Sequence, residues 1–238
     1  MARHLSKLGH HISIANSRGP ESLMALAAEI GARPVTVVDA SKAGEIVFVA
    51  IPTNAVTKLP KELFANVPSG VTVVDTGNYH PELRDGRIDE IDRGLHDSQW
   101  VARQIGRPVI KAFNNIYAES LLEKGVPKGT QGRIALSVAG DASDAKAKVL
   151  RLVDDLGFDP VDGGGLDDSW RQQPGTPAYC QDLAAPALRR ALAEADRGQI
   201  AQYRAEQEAR IRKQIAAQKL GISASSRTDR SARSRIQV

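Results

Sequence analysis

A short polar segment follows the first apolar, β-branched stretch of the chain. The run His11–Ala15 predicts a strand. Asn16, Ser17 and Arg18 come directly after it. A guanidinium group makes paired hydrogen bonds to a phosphate, and a hydroxyl and an amide can donate beside it. In a dinucleotide-binding fold this position contacts the ribose, where Asp or Glu selects a 2′-hydroxyl and Arg accommodates a 2′-phosphate. We therefore expect these residues to bind the 2′-phosphate of NADP, although Ser17-Arg18-Gly19 in isolation would indicate only a turn.

Apolar runs alternate with helical patterns along most of the chain. Several runs lack polar alternation, which is typical of parallel strands covered on both faces. The predicted strands are His11–Ala15, Ile46–Ile51, Val71–Asp75, Val109–Phe113, Ile134–Ala139 and Pro160–Asp162. Helices are predicted at Met1–Leu8, Glu21–Ile30, Ala55–Phe64 and Asp144–Leu156, the last with Asp141 or Ser143 as its N-cap. This alternation predicts an α/β fold, a doubly wound parallel sheet of the Rossmann type.

One part of a Rossmann dinucleotide site is missing from the pattern. Such a site opens with a strand and a Gly-rich turn, and the ribose-binding residue lies about 20 positions after the first glycine. Counting back from Asn16 places that glycine before residue 1, because Met1–Leu8 already has the pattern of the first helix. Either the chain as given starts after this strand, which we favour, or the protein has lost the strand and cofactor binding with it. In both cases two neighbouring strands are expected to keep unpaired backbone groups.

Several motifs occur together in a consistent order. They are ARHLSKLGHHISIANSRGPESL near the start, VAIP at Val49–Pro52, VVDTGN at Val73–Asn78, KAFNN at Lys111–Asn115, VAGD at Val138–Asp141 and LGFDPVDGGGL at Leu156–Leu166. Together they resemble the NADP-dependent oxidoreductases related to the deazaflavin-coenzyme:NADP reductase, whose dinucleotide domain is similar to that of pyrroline-5-carboxylate reductase. The resemblance covers about residues 1–185. It implies hydride transfer between NADPH and a flavin-like or small carbonyl or imine acceptor, and a homodimer.

The resemblance also implies roles for individual residues. Ser17 and Arg18 correspond to residues that hold the 2′-phosphate. Residues around the riboses and the nicotinamide correspond to Ala50, Ile51, Pro52, Thr76, Gly77, Asn78, Ala112, Phe113 and Asn114. These segments follow predicted strands, where ligands bind in open α/β sheets, although each could also be an ordinary strand end or turn. The segment Trp170–Cys180 corresponds to a loop that closes over the second substrate.

Two ionisable residues, His80 and Lys111, lie near these segments. Hydride transfer needs little acid–base help from the protein, because the cofactor carries the reaction. If the acceptor needs a proton, His80 is the candidate donor, its alternative being a solvated loop residue. Lys111 is interpreted as a structural or cofactor-edge residue rather than a catalytic lysine.

The residue patterns divide the chain into four predicted segments. They are an NADP-binding Rossmann-type domain at 1–118, an α/β part with the substrate-side loop at 119–182, a helical segment at 183–220 and a disordered basic tail at 221–238. The tail is rich in Ser and Arg and has no aromatic residue, so it cannot bury enough apolar area to fold. Its four arginines and one aspartate carry most of the formal net charge of +4. The excess of basic over acidic residues therefore does not indicate specific nucleic-acid binding.

The composition argues against several other classes of protein. A single cysteine, Cys180, excludes an internal disulfide and argues against a structural zinc site, and no metal is expected. The chain lacks an apolar run of about 20 residues and an apolar signal region, which predicts a cytoplasmic protein without a membrane partner. Two alternatives stay open beside the oxidoreductase: a non-catalytic NADP-binding sensor or interaction protein, and an inactive truncated product.

Overall fold

The computed structural model describes the backbone of residues 1–228 and the side chains of residues 1–217. The strands are β1 Ile12–Ile14, β2 Ala32–Pro34, β3 Ile46–Val49, β4 Thr72–Asp75, β5 Ile110–Lys111, β6 Ala135–Val138 and β7 Asp159–Asp162. The α-helices are α1 Ala2–Lys7, α2 Met24–Ile30, α3 Val37–Ala40, α4 Asp89–Asp92, α5 Asp97–Ile105, α6 Ala118–Glu123, α7 Ser143–Asp155, α8 Ala185–Glu194 and α9 Ile200–Thr228. Tighter 3-10 turns occur at Pro20–Leu23, Thr53–Lys58, Leu166–Gln172 and Arg197–Gln199, and a π-helical turn at Pro81–Asp85.

The strands form three parallel groups. β1 pairs with β2, with Ile12 opposite Ala32. β4 lies between β3 and β5, and β6 pairs with β7. Lys111 and Ala139 exchange two backbone hydrogen bonds, which join β5 to the end of β6 in antiparallel orientation. The α/β fold with parallel strands and a long C-terminal helix, predicted from the sequence, is confirmed.

Core side chains cover the central strand β4 on both faces. Val74 is fully buried in a cluster that includes Leu136 and Val149, whereas its neighbour Val73 points into a second cluster with Trp100. Successive strand residues point to opposite faces, so this run of apolar residues has a core on each side. The doubly wound arrangement places the carboxyl ends of β3, β4 and β5 along one edge.

β1 and β3 do not pair with each other within residues 1–228. Among the described residues β1 pairs only with β2, and β3 pairs only with β4. Ile12 of β1 and Ile46 and Phe48 of β3 nevertheless pack against the same core cluster. We call the space between these two strand edges the β1–β3 gap.

The structure differs from the sequence prediction at β2, at the helix predicted over Ala55–Phe64 and at the N-cap of α7. Strand β2 was not predicted, because Ala-Arg-Pro carries no strand pattern of its own. The helix predicted at Ala55–Phe64 is a 3-10 turn at Thr53–Lys58, which ends before Pro60. Asp141 does not cap α7, because its side chain accepts a hydrogen bond from Leu166 N at 2.9 Å. The capping position is Ala142, and Ser143 is the first residue of α7.

The C-terminal segment forms two helices. A break at Arg197–Gln199 separates α8 from α9, where the Asp196 side chain caps the turn by accepting from Gly198 N at 2.8 Å. Helix α9 continues to Thr228 and so enters the segment 221–238 that was predicted to be disordered; residues 229–238 lie outside the described part of the chain. Within residues 1–228, no helix combines the length and apolar character needed to cross a membrane.

Candidate functional site

The turn after β1 holds Asn16 in place and leaves Ser17 and Arg18 exposed. The Asn16 side chain accepts from Arg18 N at 2.9 Å and donates to Ser22 Oγ at 2.9 Å. Asn16 therefore shapes the turn in the way Asn commonly does, by bonding to backbone two residues on. In the described part of the chain the Arg18 guanidinium has no hydrogen bond or ion pair, and Ser17 is also at the surface. The structure thus leaves a cation and a hydroxyl available to an anion.

The turns after β3, β4 and β5 are contiguous. Thr76 N donates to Val49 O at 3.2 Å, which fixes the start of the turn after β4 against β3. Asn78 and Asn114 exchange two hydrogen bonds of 3.1 Å, which join the turns after β4 and β5. The sequence-predicted residues of these three turns are therefore gathered at one place. No hydrogen bond or ion pair between described residues connects them to the turn after β1.

The turn after β3 and the start of the turn after β4 have small or apolar side chains. Ala50 and Pro52 are exposed and Ile51 is half-buried, and the Pro52 carbonyl accepts from Ala55 N at 2.9 Å. Gly77 follows β4, and its N–H donates to Asp75 Oδ1 at 2.8 Å. A Cβ at this position would lie 2.9 Å from the same oxygen, so a side chain here would displace the Asp75 carboxylate.

A buried ion pair supports the turn after β4. Lys111 on β5 is fully buried, and its Nζ donates to Asp75 Oδ2 at 3.1 Å and to the carbonyl oxygen of Gly77. Ser98 Oγ on α5 donates to the same carboxylate at 2.7 Å. Because both charges are removed from water, each depends on the other and on these hydrogen bonds. Lys111 thus holds the turn in place, as a positioning residue.

Helix α9 braces the other side of this turn. The Arg204 guanidinium lies 3.4 Å from Asp97 Oδ1 and stacks on the Tyr79 ring, 4.7 Å from its centroid. Burial raises the pKa of Asp97, which also accepts from Tyr79 N. Glu208, one turn further along α9, accepts from Glu82 N at 3.2 Å. The C-terminal helix is therefore tied by charge and hydrogen bonds to residues 79–82.

An amide cluster of Asn78, Asn114 and Gln172 lies beyond β5. Gln172 Nε2 donates to Asn114 Oδ1 at 2.8 Å, and Asn114 Nδ2 donates back to Gln172 O at 2.7 Å. Beside it, the buried atoms Asn115 Oδ1 and Gln173 Nε2 have no hydrogen-bond partner among the described residues. Buried polar atoms are normally paired, and orphans of this kind often mark a binding site. The sequence analysis missed both glutamines; the only signal was their place in the loop Trp170–Cys180.

The backbone of Phe113 is in an unusual conformation. Its φ of +62° lies in the left-handed region, which a bulky residue rarely adopts. Its ring packs edge-on against Phe48 of β3, with centroids 6.0 Å apart, so core packing holds the conformation. Such outliers cluster at ligand sites. Ala112, the preceding predicted residue, is fully buried, and its side chain belongs to the core.

His80 lies against α9 and is neutral near pH 7. Burial, with a smaller effect from the Arg84 cation, lowers its pKa to about 4. Its Nδ1 is 3.9 Å from Glu208 Oε1 and forms no hydrogen bond with a described residue. A histidine with this pKa is a poor candidate for an acid that gains and loses a proton near pH 7. The structure therefore gives the predicted proton donor little support.

The N-terminal third of the chain matches a known family. Residues 1–79 fit the model of the family described as NADP oxidoreductase coenzyme F420-dependent. Over these residues the chain is similar to the F420-dependent NADP oxidoreductases. The family resemblance stated from the motifs is thereby confirmed.

Individual relatives support the same fold. The Escherichia coli (strain K12) protein YjhV is 47% identical over 93 residues, which are 39% of this chain and 61% of YjhV. The chain thus spans about three-fifths of the length of this curated relative. The hypothetical protein SMa0349 from Sinorhizobium meliloti has a TM-score of 0.63 at 28% identity, over 77% of this chain and 88% of its own. A candidate F420-dependent NADP reductase from Arthrobacter sp. FB24 has a TM-score of 0.52 at 22% identity, over 69% and 79% of the two chains, and shows the fold alone.

The described residues fit two ends of a nicotinamide dinucleotide but not its middle. Exposed Ser17 and Arg18 suit a 2′-phosphate, and the buried atoms Asn115 Oδ1 and Gln173 Nε2, which have no partner among the described residues, are polar groups that a carboxamide could pair. A pyrophosphate is normally held by a Gly-rich turn after the first strand. No such turn occurs at the β1–β3 gap in residues 1–228, so the described residues do not supply that contact.

Proposed function

We propose that the protein is an NADP(H)-dependent oxidoreductase that transfers hydride between NADPH and a flavin-like or small carbonyl or imine acceptor. The observation that carries the proposal is the unpaired guanidinium of Arg18 after β1, together with three joined turns after β3, β4 and β5. Ligands bind at the carboxyl ends of strands in this fold class. The match to the F420-dependent NADP oxidoreductase family supports the same activity.

Each part of the site has a binding or orienting role in this proposal. The nicotinamide supplies the hydride chemistry when it is bound. Arg18 and Ser17 hold the 2′-phosphate and so select NADP over NAD. The buried pair of Lys111 and Asp75 keeps the turn after β4 in position. The neutral amide cluster, with 1–2% of Gln172 and Asn114 exposed, is bonded within itself and so joins the turns after β4 and β5 to the loop Trp170–Cys180.

Cofactor selection tests the binding part of the proposal. We expect Arg18→Ala to weaken NADP⁺ binding about 10- to 100-fold and to leave NAD⁺ binding unchanged, because hydrogen bonds to charged groups contribute about 1.5–3 kcal/mol. Titration calorimetry with both cofactors measures the two dissociation constants. Arg151→Ala, which removes an exposed arginine from α7, is the matched control and should change neither. Equal losses for the two cofactors in Arg18→Ala would contradict the 2′-phosphate assignment.

Turnover tests the catalytic part. We expect NADPH oxidation, followed at the nicotinamide absorbance band, with at least one acceptor among flavin, deazaflavin, quinone, carbonyl and imine compounds. NADP⁺ binding without turnover on every acceptor class would favour the alternative, a non-catalytic NADP-binding protein. Arg18→Ala should raise the KM for NADPH more than it lowers kcat, because the 2′-phosphate lies far from the reacting carbon.

A further inference from the structure

A cavity of about 540 Å³ lies at the amino ends of β4 and β5. Its walls come from the segment 61–73, from the end of α5 with the residues 106–110 that follow it, and from the start of α7. The candidate functional site lies at the opposite, carboxyl ends of the same two strands. Small-molecule sites have volumes of about 300–1,000 Å³. The cavity is therefore large enough for a ligand and is separate from the residues assigned to the cofactor.

Apolar side chains form most of the cavity wall. Phe64 and Val67 contribute from the segment before β4, and Ile105 contributes from the end of α5. All three side chains are buried in the protein. Ala142 and Ala145 face the cavity from the start of α7, and their small side chains leave the space open. The body of a ligand that fits these walls is an aliphatic chain or an aromatic ring.

Arg107 places a cation at the rim of the cavity without a carboxylate partner. Its guanidinium donates to three backbone carbonyl oxygens, those of Val67 at 2.8 Å, Pro68 at 2.5 Å and Val71 at 2.9 Å. A guanidinium has five N–H groups, so two are left for another acceptor. A carboxylate is the acceptor that forms the strongest hydrogen bonds with such a group.

Two lysines add to the positive charge at the rim. Lys61 lines the cavity, and Lys148 of α7 donates to the carbonyl oxygen of Gly70 at 3.1 Å, in the same loop that holds Arg107. Neither lysine forms an ion pair within residues 1–217. Glu62 is the one carboxylate among the lining residues. Three cations against one carboxylate leave an excess charge of +2 beside an apolar cavity.

We propose that this cavity binds a small organic carboxylate with an aliphatic or aromatic body. The body lies against Phe64, Val67 and Ile105, and the carboxylate pairs with Arg107 and Lys61 at the rim. The proposal goes beyond the proposed function, because the cavity shares no residue with the cofactor contacts described above.

Octanoate tests the proposal, with 1-octanol and octylammonium as probes of the same chain length. We expect titration with octanoate to shift the methyl NMR signals of Val67, Ile105 and Ile110, which line the cavity. 1-Octanol should bind about tenfold more weakly, because it cannot form the charged hydrogen bonds. Octylammonium should bind more weakly still.

Two variants separate the charged rim from the apolar wall. Lys61→Gln removes one cation and should weaken octanoate binding about fivefold while leaving 1-octanol binding unchanged. Lys213→Gln, which removes an exposed lysine from α9, is its control and should change neither. Ala145→Leu narrows the cavity and should weaken both probes, whereas Ala193→Leu, at an exposed position of α8, should weaken neither.

The outcomes decide both the site and the ligand class. No methyl shift at about 10 mM octanoate would overturn the site. Equal binding of octanoate and 1-octanol, or tighter binding of octylammonium, would overturn the carboxylate class. Methyl shifts that grow with protein concentration in the absence of ligand would show that a second copy of the chain occupies the cavity and that the assigned ligand is wrong. If Ala145→Leu does not fold, the comparison of Lys61→Gln with Lys213→Gln decides. None of these outcomes depends on NADP⁺ binding, which is titrated separately.

Discussion

Among individual residues, His80 gives the clearest pH dependence. Its pKa falls from the ordinary 6.5 to about 4 on folding, chiefly through burial. The unfolded chain therefore binds the proton more strongly, and the free energy of unfolding must fall as the pH drops from about 6.5 to 4. Between pH 7 and pH 5 we expect His80 to account for a loss of about 2 kcal/mol. Urea unfolding of the wild type and His80→Gln at both pH values measures it.

A matched variant isolates this effect. His10 is exposed, so His10→Gln should lose as much stability on acidification as the wild type does. His80→Gln should lose less, while titration of His96, Asp97 and other groups is common to all three proteins. The same acid sensitivity in His80→Gln and in the wild type would show that His80 is solvated in the folded protein.

The buried ion pair of Lys111 and Asp75 makes a second residue-level prediction. Lys111→Met leaves a buried carboxylate with only Ser98 and the Gly77 amide as partners, and should destabilise the protein by about 3–5 kcal/mol. Replacing both partners, in Asp75→Asn with Lys111→Met, removes the uncompensated charge and should restore part of that loss. Chemical denaturation of the single and double variants tests this coupling. Additive effects of the two substitutions would show that the charges do not depend on each other.

Among elements, the contact between α9 and the loop Trp170–Cys180 depends on one glycine. Gly175 has φ of +85°, and a Cβ there would overlap the backbone carbonyl of Tyr203 on α9. Gly129 has the same φ of +85° but open space around it. Both Ala variants incur the cost of a left-handed conformation, about 1–2 kcal/mol, but only Gly175→Ala also forces helix and loop apart.

The comparison of these two variants is therefore a test of the helix contact. Gly175→Ala should lower the free energy of unfolding by about 1–3 kcal/mol more than Gly129→Ala, since overpacking adds to the backbone strain. It should also weaken cofactor binding, because α9 supports residues 79–82 through Arg204 and Glu208. Equal destabilisation by both variants would mean that the loop and α9 do not pack closely in solution.

For the whole molecule, the sequence predicted the strands and helices whose own residues carry a strand or helix pattern. Continuous β-branched runs predicted six of the seven strands. Strand β2 was missed, because its Ala-Arg-Pro residues form a strand only by pairing with β1. In the site, Arg18 was predicted from its place after a strand. Gln172 and Arg204 were not predicted, because each contacts a residue that is distant in the sequence. Gln172 bonds to Asn114, 58 residues away, and Arg204 bonds to Asp97, 107 residues away.

The open edges of β1 and β3 also have a consequence for the behaviour of the protein in solution. Uncharged strands without proline and with free amide groups are templates on which other extended segments add, including those of identical molecules. Preparations of the 238-residue chain should therefore scatter light increasingly as concentration rises. A lysine substitution at Ser13, which places a charge on the β1 edge and belongs to neither core cluster, should reduce that aggregation.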